Sequence, residues 1–146
     1  MERMDWRSLG HSKFVSETLD GLRVCEDMVT PKSWGAAVAI CHARYGQMSL
    51  AIINRGGYSS RHFHNHKING FHCLAGHMVV NVWEGDEFKV DVRPPDRIQH
   101  LRKGDAIQIP VNVIHEMEAL DDTVCMESYF TIAPNHLVCL KDIHRY

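Results

Sequence analysis

The 146-residue chain is 45% hydrophobic and 23% charged, and its 16 Lys+Arg against 18 Asp+Glu give a formal charge of −2. That length suffices for one buried core without disulfides or a structural metal, and the balanced charge with no Lys/Arg block argues against nonspecific nucleic-acid binding. No apolar run approaches the ~18 residues of a membrane span, and Met1–Asp5 leads into polar sequence rather than a signal peptide's apolar centre, so a cytoplasmic protein is expected.

In chain order, Ser12 is placed to cap a short helix through Leu19, with Phe14, Val15, Leu19 and Leu22 at helical spacing. Residues 1–33 are therefore expected to form an N-terminal extension, partly helical or irregular, packing on the β-rich domain downstream. From Trp34 the text changes to short runs rich in β-branched and aromatic residues, closed by turn chemistry. The runs are Trp34–Ile40, Gln47–Asn54, Ser59–His64, Ile68–Leu74, His77–Glu84, Glu87–Val92, Arg97–Leu101, Asp105–Pro110, His115–Leu120 and Thr123–Ile132. Strands at this spacing without intervening helices predict one all-β domain over 34–132, an antiparallel sandwich or barrel. The segment 133–146 is a C-terminal tail. Its Leu137, Val138, Leu140 and Ile143, together with Phe14, lie outside the barrel proper and need burial elsewhere.

Five cysteines (Cys25, Cys41, Cys73, Cys125, Cys139) are scattered and never in C-x-x-C, which favours free thiols over a disulfide framework or thiolate zinc site. The histidines are more informative. His62, His64 and His66 sit two apart, so a strand would place them on one face. A single ion can take two such imidazoles and a third ligand from elsewhere in the sheet. The turn, strand and Pro break of Gly104–Pro110 lead to His115 at the head of the next strand. His66, followed by Lys67 and Gly70, reads as a loop residue.

Together these two segments resemble the motifs of the cupin superfamily, G-x5-H-x-H-x4-E-x6-G and G-x5-P-x-G-x2-H-x3-N. Gly56, His62, His64, Asn69 and Gly76 carry the first with every spacing kept, and Gly104, Pro110, Asn112 and His115 carry the second. Asn69 stands where the family has Glu, Asn112 where it has Gly, and Ala119 where it has Asn. The resemblance implies a double-stranded antiparallel β-helix, or jelly-roll barrel, holding a divalent ion (Mn, Fe, Zn or Ni) at His62, His64 and His115, with Asn69 in the acidic ligand's place. An amide offers a neutral oxygen, a poorer donor than carboxylate, so Asn69→Glu is expected to tighten metal binding. A second register, His64 and His66 with Asn69, resembles the cupin domain of type II phosphomannose isomerases. Lys32-Ser33-Trp34-Gly35 upstream resembles that group's Arg-Pro-Trp-Gly entry.

Asn69, Phe71 and Cys73 share a face taken as inward, with His72 opposite. Glu127 is placed outward, because Val124, Met126 and Phe130 form the more apolar set on its strand. Arg61 and Lys67 flank the first motif as solvated charges, Trp34 and Trp83 read as packing residues, and His77 and His100 read as surface histidines. The function expected is a metal-binding cupin acting on a small polar ligand such as a sugar or sugar phosphate, isomerase-like. The alternatives are a three-histidine non-haem iron dioxygenase and a noncatalytic ligand-binding cupin. No catalytic residue is singled out. The partners expected are a small-molecule ligand and a second copy in a homodimer.

Overall fold

A computed structural model describes residues 4–85 and 92–131. The predicted run Glu87–Val92, Val92 excepted, and the tail 133–146 lie outside them. The described chain forms β1 (Val29–Lys32), β2 (Gly35–Ala43), β3 (Gly46–Ile53), β4 (Lys67–Ala75), β5 (His77–Trp83), β6 (Arg97–Arg102), β7 (Ala106–Ile109), β8 (Ile114–Ala119) and β9 (Thr123–Thr131), preceded by helix α1 (Lys13–Leu22). Two antiparallel sheets result, ordered β1-β2-β3-β9-β4-β7 and β6-β5-β8. Between their inner faces lies a core that includes Ile53, Phe71, Cys73, Met78, Val80, Val82, Leu101 and Ile109. The antiparallel sandwich expected from strand spacing, and the jelly roll implied by the family resemblance, are both met.

Helix α1 starts where the sequence indicates. Ser12 Oγ accepts from the Val15 N–H at 3.2 Å, satisfying one of the orphan donors of the first turn. Val15 and Leu19, four apart, are fully buried against Ala36, Val38, Leu50 and Ile52. These line the outer face of the larger sheet, so that sheet is covered on both sides. Burial of each such side chain contributes about 2 kcal/mol. Phe14 packs into this second core as well, which removes it from the residues awaiting a partner.

Two elements differ from the sequence reading. β1 has no counterpart in it, because Pro31 reads as a breaker; the strand lies at the sheet edge, where a missing ladder N–H is tolerated. Conversely, Ser59–His64 forms no regular strand. The stretch from Gly56 runs along the free edge of β8 through separate contacts: Gly56 N–H to Ala119 O, Ser59 N–H to Met117 O, and a reciprocal His62–His115 pair at 3.1 and 2.9 Å. These contacts draw the first motif against the second.

The motif glycines have a backbone reason. Gly76 has φ +89, and a methyl there would lie 2.2 Å from the Asp122 carbonyl oxygen. Gly76→Ala is therefore expected to lower stability by roughly 2–4 kcal/mol in urea unfolding; an unchanged midpoint would contradict this reading. Asn112, standing in a family glycine position, has φ 61. Asn tolerates that left-handed region better than other side-chain-bearing residues, which explains how the departure is accommodated. Its N–H donates to His64 O at 2.8 Å, a second tie between the two histidine-bearing segments.

Candidate metal and acid–base site

Strand register arranges the inner face of the larger sheet in rows. Directly opposed residues share a face, so Lys67 and Thr131 form the outermost row, followed by Gln47, Tyr129 and Asn69, then Ser49, Glu127 and Phe71, then Ala51, Cys125 and Cys73. Polar chemistry occupies the first three rows, and the wall below is apolar. His72 points away and is exposed, while Asn69, Phe71 and Cys73 are buried as expected.

Across from this face, His62, His64 and His115 each offer a nitrogen, and those nitrogens all lie within 4.8 Å of one another. The ring centres stand 5.0, 4.6 and 5.7 Å apart. Imidazoles bound ~2.1 Å from one ion have centres about 4.6 Å apart at right angles and about 5.3 Å at the tetrahedral angle; the three rings approach that spacing. His62 Nδ1 sits 2.7 Å from Ser60 O and His115 Nδ1 3.0 Å from Val113 O. A carbonyl only accepts, so Nδ1 carries the proton on both rings and Nε2 keeps its lone pair for the site. His64 Nε2 is buried with no hydrogen-bond partner. A donor set of three imidazoles, one of them with a buried and unsatisfied nitrogen, fits a divalent ion. His66 is exposed and pairs with the Asn65 side chain, away from this cluster.

Burial pushes the His115 imidazolium down to about 4, and His64 is lowered first by burial and then electrostatically by its neighbours His62, Lys67 and His66. Both rings are neutral at pH 7, the form a metal requires. The same shift has a stability consequence. Folded His115 titrates below its unfolded value of 6.5, so between the two values the unfolded chain binds more protons. Nothing is lost above about pH 6.5, and about 3 kcal/mol is lost as pH falls to 4. Urea unfolding at pH 7 and pH 4.5 should show that decline in the wild type and a shallower one in His115→Gln; parallel declines would contradict the assignment.

Asn69 is fully buried. Its Nδ2 donates to His115 Nε2 at 3.3 Å and to Glu127 Oε1 at 3.4 Å, while its Oδ1 has no partner. As placed, Asn69 turns its amide nitrogen toward His115. A ligand role through oxygen requires a half-turn of the amide.

Glu127 corrects the outward placement read from sequence. Its carboxylate lies on the inner face, where Oε1 accepts from the same Asn69 amide nitrogen that meets His115 and also from the Tyr129 hydroxyl at 2.6 Å. Burial, then the Glu127 charge and this hydrogen bond, raise the Tyr129 phenol above its ordinary value, so it remains a donor. Tyr129 also meets the His64 ring edge to face at 5.3 Å. The apolar residues Val124 and Met126 mislead because they pack against the second core beneath α1. The signal that finds Glu127 is the alternation of Thr123, Cys125, Glu127 and Tyr129 with that covered face.

On the outside, Arg61 Nε donates to Glu116 Oε2 at 2.9 Å, Glu116 Oε1 accepts from Asn81, and the guanidinium lies 4.4 Å from the Trp83 ring centre. Arg61 precedes His62 and Glu116 follows His115, so this ion pair clamps the two ligand-bearing segments from behind. Trp34 is half-buried against the barrel core.

No family model and no curated relative matches the sequence, and the likeness to known proteins lies in the structure. KdgF from a Halomonas species is similar with a TM-score of 0.57 at 17% identity, over 73% of this chain and 88% of that one. An RmlC-like cupin from Shewanella frigidimarina gives a TM-score of 0.57 at 14% identity, over 77% and 92%. The Cnp3 cupin domain of Schizosaccharomyces pombe gives 0.55 at 12%, over 75% and 69%. The fold is that of the cupins. Among the described residues, no helix is long and apolar enough to cross a membrane.

Proposed function

We propose that this cupin-fold chain binds a divalent metal at His62, His64 and His115 and acts on a small polar ligand, such as a sugar or sugar phosphate, by moving a proton at the barrel mouth. The observation that carries the reading is the Glu127 carboxylate, linked through the Asn69 amide to His115, one of three imidazoles whose Nε2 atoms are free of backbone hydrogen bonds. When bound, a divalent ion supplies Lewis acidity, lowering the cost of negative charge on a carbonyl or hydroxyl oxygen of the ligand. His62, His64 and His115 would hold it, each kept in one tautomer or kept neutral by the contacts above.

The proton work falls to the chain's own residues. Glu127 Oε1 is engaged by Asn69 and Tyr129, which fixes the carboxylate's plane, and Oε2 has no partner among the described residues. Oε2 is thus the oxygen placed to take a proton from carbon next to a carbonyl and return it. Tyr129 O–H holds Oε1 and keeps the negative charge local. Below them, buried Phe71, Cys73 and Cys125 continue the wall as apolar surface. This arrangement favours proton transfer over dioxygenase chemistry, for which a carboxylate held by two donors beside the ligands has no task.

The test is solvent exchange. Mn(II)-loaded protein incubated with a panel of small sugars, sugar acids and sugar phosphates in D2O is expected to place deuterium next to a carbonyl carbon in one of them, read by NMR. Oxygen uptake without exchange would overturn the reading in favour of oxygenation, and neither activity would favour a binding protein.

The reading includes a homodimer. Phe130, 49% exposed, lines a groove with Met48 and Met126 on the outer face of the larger sheet, apolar surface of the kind that pairs between copies. Light scattering at micromolar concentration is expected to give twice the chain mass; a monomer would contradict it.

A further inference from the structure

We infer that Lys67 is the anion-binding element of this pocket, so that the ligand carries a carboxylate or phosphate group. The inference rests on the proposed site and names its substrate class. Lys67 opens β4 on the same face as Asn69 and Phe71, in the outermost row of the inner wall. Its ammonium stands 5.5 Å from the centre of the Tyr129 ring, whose edge-to-face partner is His64. The ring is thus flanked by the ammonium on one contact and the histidine cluster on another.

Lys67 differs from Arg61, with which sequence position groups it. Arg61 faces outward and is committed to Glu116 and Trp83. Lys67 is half-buried, faces inward, and makes no ion pair among the described residues. A partly desolvated ammonium is stabilised by a counter-charge, yet among the described residues Lys67 meets only a ring face. The balance of charge points the same way. Three neutral imidazoles leave an ion's two positive charges uncompensated, Lys67 adds a third, and Glu127 on the same inner face supplies one negative charge. A mouth of net positive potential selects anions and repels cations. In the next two rows, half-buried Gln47 and buried Ser49 hydrogen-bond each other at 3.4 Å. They offer neutral donors to the ligand's remaining oxygens.

Calorimetric titration of inorganic phosphate and, separately, malonate into metal-free and Co(II)-loaded protein tests this, using wild type, Lys67→Met and Lys67→Arg. At least one anion should bind wild type. Its affinity should fall ten-fold or more in Lys67→Met, which keeps the apolar stem, and recover in part in Lys67→Arg. The arm that responds tells phosphate from carboxylate. Cobalt affinity should be equal or higher in Lys67→Met, since a positive charge beside the ion is gone. If wild type takes no cobalt but binds an anion through Lys67, the metal reading fails and this inference stands. If cobalt binds while Lys67→Met holds both anions as tightly as wild type, or if neither anion binds wild type, the inference is overturned.

Discussion

Replacing His64 with alanine should weaken divalent-metal binding by two to three orders of magnitude. Assemblies of four protein ligands hold a structural ion with about 10–16 kcal/mol, so one imidazole accounts for roughly 3–4 kcal/mol. His64 is the histidine shared by both registers that the first motif allows, and its Nε2 is the buried nitrogen without a partner. His115→Ala should do the same, but His115 is 1% exposed and packed against Phe71, so that variant also opens a cavity. His62→Ala removes a half-buried ring at the edge of β8 and keeps the core intact. Calorimetric titration of Mn(II) should show the loss in all three, while His66→Ala binds as wild type. Retained affinity in His62→Ala together with a loss in His66→Ala would shift the site to the alternative register.

Glu127→Gln should abolish proton exchange by a factor of about 10²–10⁴, the range for loss of a positioned general base, while metal affinity and folding stability stay near wild type. The amide oxygen of Gln still accepts from Tyr129 and Asn69, so the hydrogen bonds that fix position 127 persist and only the basicity goes. Tyr129→Phe should cost less, because it removes one of the two donors to Oε1 and leaves the base in place. Exchange rates in D2O read both variants against thermal unfolding curves. A Glu127→Gln protein that exchanges at the wild-type rate would remove Glu127 from the mechanism.

The expectation for Asn69→Glu changes once Glu127 is seen. A carboxylate at 69 would face another held 3.4 Å from the present amide nitrogen, so in metal-free protein the pair would share a proton. Tighter metal binding is still expected, now coupled to proton release.

The contrast between the histidine pair and Glu127 shows how much of the site is legible in the chain. The histidine pair can be read because period-2 spacing and turn glycines at fixed offsets survive in any background, and Gly76 cannot be replaced without meeting Asp122. Glu127 cannot, because a strand covered on both faces loses the apolar–polar alternation that reports orientation: Val124 and Met126 serve one core while Cys125 serves the other. β1 is hidden for a different reason: its Pro31 looks like a break until the edge position is known. The Ser59–His64 stretch presents the pattern of a strand, and its histidines do reach one place. They are held there by the His62–His115 bridge and the Asn112 to His64 hydrogen bond rather than by a ladder.

The most direct measurement is the anomalous-scattering map of crystals grown from Co(II)-loaded protein, recorded at the cobalt edge. One peak within about 2.1 Å of Nε2 of His62, His64 and His115 is predicted, with the Glu127 carboxylate facing it. A map with no peak among these three rings, or with its peak at His66 instead of His62, would contradict the account.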